Sequence, residues 1–328
     1  MGERQAHRLQ PGTSVHVRVP ASSANLGPGF DSIGLALGIW DECTATVTAE
    51  PGLVIEVEGS GAGEVPLDER HLVYRSMLTG WHHLEGEAAV EVPAGLRLEC
   101  RNAVPHGRGL GSSATAIVTG IAAAQALSDA SRGACQAFDL GFVNDIASQI
   151  EGHPDNASAS VYGGLTLSWS DKSVQWSESA GRVATSTVRV PLHAEVAPVV
   201  FVPSETLSTA KARSVLPSHV RLADAAYNSA RAALLVHALR HAPELLLPAT
   251  EERLHQEARR SSYPHTMELV DALRGGGHAA VVSGAGPSVL VLANAAAAED
   301  VLAFGGDSWQ ALRPGVPGEG VMVRTVTT

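Results

Sequence analysis

Between Pro105 and Thr115 the chain reads Pro-His-Gly-Arg-Gly-Leu-Gly-Ser-Ser-Ala-Thr, and an Ala-rich run follows from Ala114 to Leu127. Glycines let a backbone approach a ligand closely, and the free amides and dipole at a helix start favour an anion. Pro105, Gly107, Arg108, Gly109, Leu110, Gly111, Ser112, Ser113 and Ala114 are therefore candidate phosphate-binding residues. Arg108 is a charged helper in this reading, and Ser112 and Ser113 can cap the helix or reach a phosphate-bound Mg²⁺. Two familiar nucleotide signatures are absent: no lysine completes a Walker A loop, and the third glycine of a dinucleotide fingerprint would fall at Ser112. Taken alone, the pattern fits an ordinary N-capped loop equally well.

Three further clusters are dense in small and polar residues. In Pro20 to Asp31, two glycines bracket Pro28 in a compact turn, with Asn25 and Asp31 as polar ends. In Glu151-Gly152-His153-Pro154-Asp155-Asn156, the carboxylate of Glu151 ends a predicted helix, where it opposes the dipole. A Mg²⁺ ligand would explain that cost; a solvated Glu beside a turn is the alternative. Ser283 to Ser288 is a Gly-rich turn between two predicted strands.

The elements that must position these clusters follow from periodicity. Strands are predicted from Val15 to Pro20 and at Thr44 to Thr48, Leu53 to Val57, Leu96 to Arg101, Val196 to Val202, Ala279 to Val282 and Val289 to Leu292, while Ile33 to Ile39 is an apolar run. Helices are predicted at Leu72 to Leu84, Ser112 to Leu127, Phe138 to Ile150, Ala223 to Leu239, Glu244 to Leu254 and Met267 to Leu273. Residues 1–13 read as a disordered leader and 170–187 as an interdomain link or hairpin. Without a regular βαβ repeat, the class is α+β.

With 328 residues the chain suits two domains, and with aromatics at 4% its cores must rely on Ala, Val and Leu. A net charge of -11 argues against nucleic-acid binding. No apolar run of about 18 residues suggests a membrane span or secretion, so a cytoplasmic protein is expected. Cys43, Cys100 and Cys135 are odd in number and widely spaced, which points to reduced, buried thiols.

Val19-Pro20 through Asp31, Pro105 to Thr115 and Ser283 to Ser288 resemble, in that order, the three signature motifs of the GHMP small-molecule kinases (galactokinase, homoserine kinase, mevalonate kinase and phosphomevalonate kinase). The wording of Pro20 to Asp31, Glu151 to Asn156, Ser208-Thr209-Ala210, Ala212 to Pro217 and Arg253-Leu254-His255-Gln256 is similar to the homoserine kinase branch. The resemblance runs from about Val15 to Leu292. It implies two α+β domains: residues 14–185, ATP-binding with a left-handed β-α-β unit, and residues 186–328, ferredoxin-like. It also implies ATP and Mg²⁺, the latter held by Ser112 or Ser113 with Glu151, and an adenine pocket that includes His71-Leu72-Val73. Asn25 and Asp31 would grip the substrate amino group, Arg213 and Arg259 its carboxylate, and Asn156 the region of its hydroxyl. Gly284 completes the substrate set, and Asn156, Asp155 and Arg213 are the candidate catalytic residues.

The implied activity is direct, in-line phosphorylation of homoserine to O-phosphohomoserine for threonine synthesis. Alternatives are a sister kinase of threonine or another hydroxy amino acid, and a catalytically silent metabolite-binding homologue. Partners are then small molecules, and relatives allow a homodimer. Two stretches depart from the family wording. Glu257 to Pro264 stands where Pro-Tyr-Arg and an apolar segment are usual. Ala157-Ser158-Ala159-Ser160 follows Asn156 where Val-Ala-Pro is more frequent.

Overall fold

The computed structural model describes residues 7–84, 90–133, 138–170 and 184–326. Cys135, residues 1–6 of the predicted leader and residues 171–183 of the predicted link lie outside them.

The strands are β1 (His7–Arg8), β2 (Ser14–Ala24), β3 (Ile33–Val47), β4 (Gly52–Gly59), β5 (Val90–Glu91), β6 (Gly95–Asn102), β7 (Leu165–Ser170), β8 (Thr185–Val190), β9 (Val196–Pro203), β10 (Ala280–Val282), β11 (Val289–Asn294), β12 (Trp309–Leu312) and β13 (Met322–Val326). The helices are α1 (Leu72–His83), α2 (Ser112–Ser131), α3 (Leu140–Glu151), α4 (Asp155–Tyr162), α5 (Thr209–Ser214), α6 (Leu222–His241), α7 (Leu246–Ala249), α8 (Gln256–Arg259), α9 (Pro264–Gly275) and α10 (Ala298–Leu302).

The larger sheet has the path β13-β2-β3-β6-β4, with β7 and β8 continuing from β3. Its strands β4 and β6 are parallel and joined through α1, which gives the β-α-β unit. Behind it lies α2, whose residues Ile117 to Ser128 are all buried. A helix that is apolar around its whole circumference must be enclosed, and Ala-rich composition lets it be enclosed tightly. The smaller sheet has the order β10-β11-β9-β12, all antiparallel. With helices between β9 and β10 and between β11 and β12, this is the split βαβ, ferredoxin-like arrangement. The two domains are α+β, as expected.

Period-two alternation shows how the smaller sheet is buried on both faces. Val199 and Phe201 of β9 join Met267, Val270 and Leu273 of α9 in one core. Val200 and Val202 face the other way, into a core shared with Ala21, Leu26, Leu35, Leu37 and Leu110 from the first domain. That shared apolar layer fixes the two domains against each other beside the predicted motifs.

Several expectations need correction. The strand predicted to end at Pro20 runs on to Ala24, with a register shift between Pro20 and Ala21. Proline lacks the ladder N–H, so a bulge absorbs it rather than a strand end. Within the predicted leader, β1 pairs with β5, and Leu9 is buried. Of the two readings of residues 170–187, link or hairpin, the described ends take the hairpin: β7 pairs with β8, with Ser170 opposite Thr185. A division at 185/186 would cut that hairpin, and β13 returns from the chain end to pair with β2. The helix predicted from Glu244 to Leu254 shrinks to a 3-10 turn and the four-residue α7, because Pro248 inside it lacks the N–H a longer helix would need.

Candidate active site

The glycine loop adopts its shape through alternating left-handed residues: Gly107, Gly109 and Gly111 have φ of 65°, 73° and 73°. A Cβ on Gly109 would lie 2.3 Å from the Ser283 carbonyl oxygen, and one on Gly111 would lie 2.2 Å from Ser22 Oγ. Those contacts arise because the three motifs are bonded to one another. Ser22 N donates to the Leu110 carbonyl (3.1 Å), Gly284 N to Ala24 (3.1 Å), and Ser283 Oγ to Gly109 (2.7 Å). Asn25, at φ 69°, donates from Nδ2 to the Gly284 carbonyl (2.9 Å) and accepts at Oδ1 from the Asp31 amide (3.0 Å).

Gly111 itself occupies the cap position of α2, and no side chain caps the helix. The expected capping by Ser112 or Ser113 therefore does not occur. Both serines are instead the first helical residues, and the amides of Ser112, Ser113 and Ala114 precede any helical carbonyl that could accept from them. The helical bonding begins with Thr115 N to the Gly111 carbonyl (2.8 Å). Buried Asp41 holds this start in place. It accepts from the Ala103 and Val104 amides (both 2.9 Å) and from Thr115 Oγ1 (2.7 Å), tying the exit of β6 to α2. Burial pushes its carboxyl above the ordinary range, against the pull of those hydrogen bonds.

A cavity of about 190 Å³ opens over the loop. Its lining includes Asn25, Gly107, Gly109, Gly111, Ser112, Ser113, Glu151, Asp155, Asn156, Arg213, Arg259 and Gly284. The Glu151 side chain is 10% exposed and bonds to the Ser113 hydroxyl. Burial pushes its carboxyl up, with Ser113 and His153 pulling the other way. Asp155 begins α4 and is 1% exposed; its Oδ1 accepts from the Asn156 amide and lies 2.8 Å from His153 Nδ1. Burial works against a charged His153 ring, but Asp155 and Glu151 outweigh it and hold the pKa above its ordinary value. Asn156 Oδ1 accepts from Ser22 Oγ (3.1 Å), which leaves its amide nitrogen as the donor available to a ligand.

Across the cavity, Arg213 forks onto Asp31, with Nη2–Oδ1 at 2.5 Å and Nη1–Oδ2 at 3.3 Å. Arg259 is almost fully buried and donates from Nε to the Ala212 carbonyl (2.9 Å). Burial lowers its pKa. The two guanidinium carbons sit 5.6 and 5.8 Å from the centre of the Phe30 ring. The arrangement offers an anion-binding loop, an acidic group and two cationic groups within one concavity.

A second cavity, of about 240 Å³, adjoins the first at Ser112 and Ser113. Its walls include Cys43, His71, Leu72, Val73, Cys100 and Ala116, so it is the more apolar compartment.

Four proposed loop residues, and Asp31, contribute no side chain to the lining of the first cavity. The Arg108 side chain is no phosphate helper: its guanidinium donates to the carbonyls of Pro203, Ser204 and His106, tying the loop to the end of β9. Leu110 and Ala114 are buried, and Pro105 lies with Arg108 on another groove. Sequence reasoning assigned no role to His153, Leu207, Ser208, Thr209 or Ala285, which line the cavity, nor to Asp41 beneath it. His153 lay in a motif already singled out, and Ser208-Thr209 in a stretch quoted for its wording alone.

Residues 71–164 match the family of GHMP kinases N-terminal domains, and residues 230–309 the GHMP kinases C-terminal family. The homoserine kinase of Streptomyces coelicolor is 47% identical over 315 residues, covering 96% of this chain and 96% of that protein. The homoserine kinase of Clavibacter michiganensis is 45% identical, covering 97% and 96% respectively. The crystal structure of homoserine kinase from Cytophaga hutchinsonii shares the fold with a TM-score of 0.75 at 23% identity, covering 95% of this chain and 97% of that one.

Proposed function

This chain belongs to the GHMP kinases, in their homoserine kinase branch, and on that premise we propose that it transfers the γ-phosphoryl group of ATP to the side-chain hydroxyl of L-homoserine. The observation that carries the reading is one cavity lined by a helix-starting glycine loop and by Arg213 and Arg259, with Asp31 bonded to Arg213 at its edge. A free α-amino acid brings an ammonium and a carboxylate, and this pair offers the complementary charge to each.

Phosphoryl transfer passes through a loose transition state, so alignment and charge neutralisation supply most of the catalysis. The amides of Ser112, Ser113 and Ala114, with the α2 dipole, receive the phosphates. The more apolar second cavity takes adenosine. Ser113 and Glu151 suit Mg²⁺, because a buried carboxylate joined to a hydroxyl is a hard-oxygen donor set with unmet charge. When bound there, Mg²⁺ would neutralise phosphate charge.

The carboxylate of homoserine takes the Arg213 fork and Arg259, its ammonium takes Asp31 and Asn25, and Asn156 orients the hydroxyl. Asp155 holds this end of the site in shape. Its Oδ1 is taken up by the Asn156 amide and by His153, which in this reading makes it a positioning residue. The hydroxyl therefore attacks the γ-phosphate directly and loses its proton without a dedicated protein base. The product, a phosphate monoester of a hydroxy amino acid, suits a later step that expels phosphate, as threonine synthesis requires.

Coupled ADP release with ATP, Mg²⁺ and a panel of homoserine, threonine, serine, mevalonate and galactose tests the substrate. Homoserine should give the highest kcat/KM; a better rate with mevalonate or galactose would refute it. Asp155→Asn should lower kcat by less than about tenfold, whereas loss of a general base costs roughly 10²–10⁴-fold. A fall in that larger range, with folding and ATP binding intact, would make Asp155 the base.

A further inference from the structure

One pair of thiols in this site has no part in phosphoryl transfer. Cys43 of β3 stands directly opposite Cys100 of β6 in the antiparallel ladder. Their sulfurs are 3.6 Å apart, and both thiols are free. Each residue is at most 3% exposed, yet both line the second cavity, next to Ser112 and Ser113. A small molecule inside that cavity meets them, and bulk solvent does not.

The geometry suits a covalent bond. Directly opposed residues of an antiparallel pair have Cα atoms roughly 4.5–5.5 Å apart, within the span that disulfides bridge. Moving the sulfurs from 3.6 Å to about 2 Å is within reach of side-chain rotation alone.

We propose that Cys43 and Cys100 form a redox-modification site in the wall of the nucleoside cavity, closing to a disulfide when the cavity is empty and shielded when nucleotide fills it. The shielding half rests on the ATP-binding reading given above. The oxidant is a small peroxide that enters the cavity. One thiol, as thiolate, attacks the O–O bond to give a sulfenic acid and water. The second thiol then displaces the sulfenic oxygen as a second water. Two S–H bonds and one O–O bond break; one S–S bond and two O–H bonds form. The hydrogen bond shared with Cys100 and burial hold the Cys43 thiol well above its ordinary pKa, so the first step is slow and the time the cavity spends empty sets the yield.

The test uses the full-length enzyme carrying Cys135→Ser, which leaves only the two cavity thiols unaltered. It is exposed to hydrogen peroxide with and without Mg·ADP, ADP binding being confirmed by calorimetry, and then alkylated and mapped by mass spectrometry. The nucleotide-free enzyme should yield a Cys43–Cys100 linked peptide, lighter by two hydrogens and reversed by reductant. Bound ADP should slow its appearance at least tenfold. Two thiols that stay alkylatable after prolonged exposure of the empty enzyme would overturn the proposal, as would equal rates with bound ADP. Homoserine-dependent ADP release is measured on the reduced enzyme, so failure of the kinase reading shows there and leaves the disulfide result intact.

Discussion

The Asp31–Arg213 pair gives the sharpest test of how the acceptor is held. Arg213 forks onto Asp31, and the two side chains are 36% and 35% exposed. A pair so exposed contributes about 0–1 kcal/mol. In the proposed binding mode homoserine parts it, but returns a carboxylate to the arginine and an ammonium to the aspartate, so both charges stay matched. A charge-assisted fork to the carboxylate contributes about 1.5–3 kcal/mol. Subtracting the parted ion pair leaves about 0.5–3 kcal/mol, which at about 1.4 kcal/mol per tenfold is roughly 2- to 150-fold. Arg213→Ala should therefore lower kcat/KM for homoserine by that factor, chiefly through KM, and leave KM for ATP unchanged. The decisive comparison is 3-aminopropan-1-ol, which is homoserine without its carboxylate. Wild-type enzyme should use it poorly, and Arg213→Ala should change its kcat/KM by less than threefold. Steady-state ADP release with both acceptors and both enzymes closes the cycle. Equal losses for the two acceptors would refute carboxylate binding and place Arg213 in the chemical step or in folding.

Gly109→Ala combines a left-handed alanine, costing about 1–2 kcal/mol, with a Cβ 2.3 Å from the Ser283 carbonyl. It should cut kcat/KM for ATP by more than about a hundredfold, whereas Gly107→Ala, whose nearest neighbour would be 3.4 Å away, should lose less; equal losses in the same kinetic assay would show that the close approach is unimportant. Glu151→Ala removes one charged ligand, about 1.5–3 kcal/mol, so a Mg²⁺ titration of ADP release should shift about 10- to 150-fold while KM for homoserine holds; an unchanged titration would exclude Glu151 as a ligand. Burial holds the Asp41 carboxyl above its value of 3.8 in the unfolded chain, so the folded state binds that proton more tightly, and stability falls as pH rises from 3.8 through the raised value. Asp41→Asn keeps an acceptor for the Ala103 and Val104 amides and should shrink the stability difference between acidic and neutral pH; denaturant melts that keep the wild-type difference would contradict this.

What the chain order revealed, and what it concealed, follows from the range of each interaction. The glycine loop and α2 were legible because their determinants are local: left-handed glycines, then an apolar helix enclosed on every side. Asn25 and Asp31 were legible for a related reason, since Asn and Asp accept left-handed backbone (φ 69° and 55°) more readily than other side chains. Arg108 misled because a guanidinium beside a phosphate loop suggests phosphate, while the carbonyls that occupy it come from Pro203 and Ser204 at the end of β9. The same limit hid α4, whose first turn follows Pro154 in a segment that reads as a turn, and the return of β13 to β2 across the whole chain. It also hid the support beneath the site. Asp41 reaches Thr115 only because the register of β3 on β6 points it at the start of α2, two residues from Cys43 opposite Cys100. The reacting groups were thus visible one motif at a time. Their precision depends on a strand register that no motif encodes, so substitutions at Asp41 should weaken ATP use without touching any residue that meets ATP phosphate.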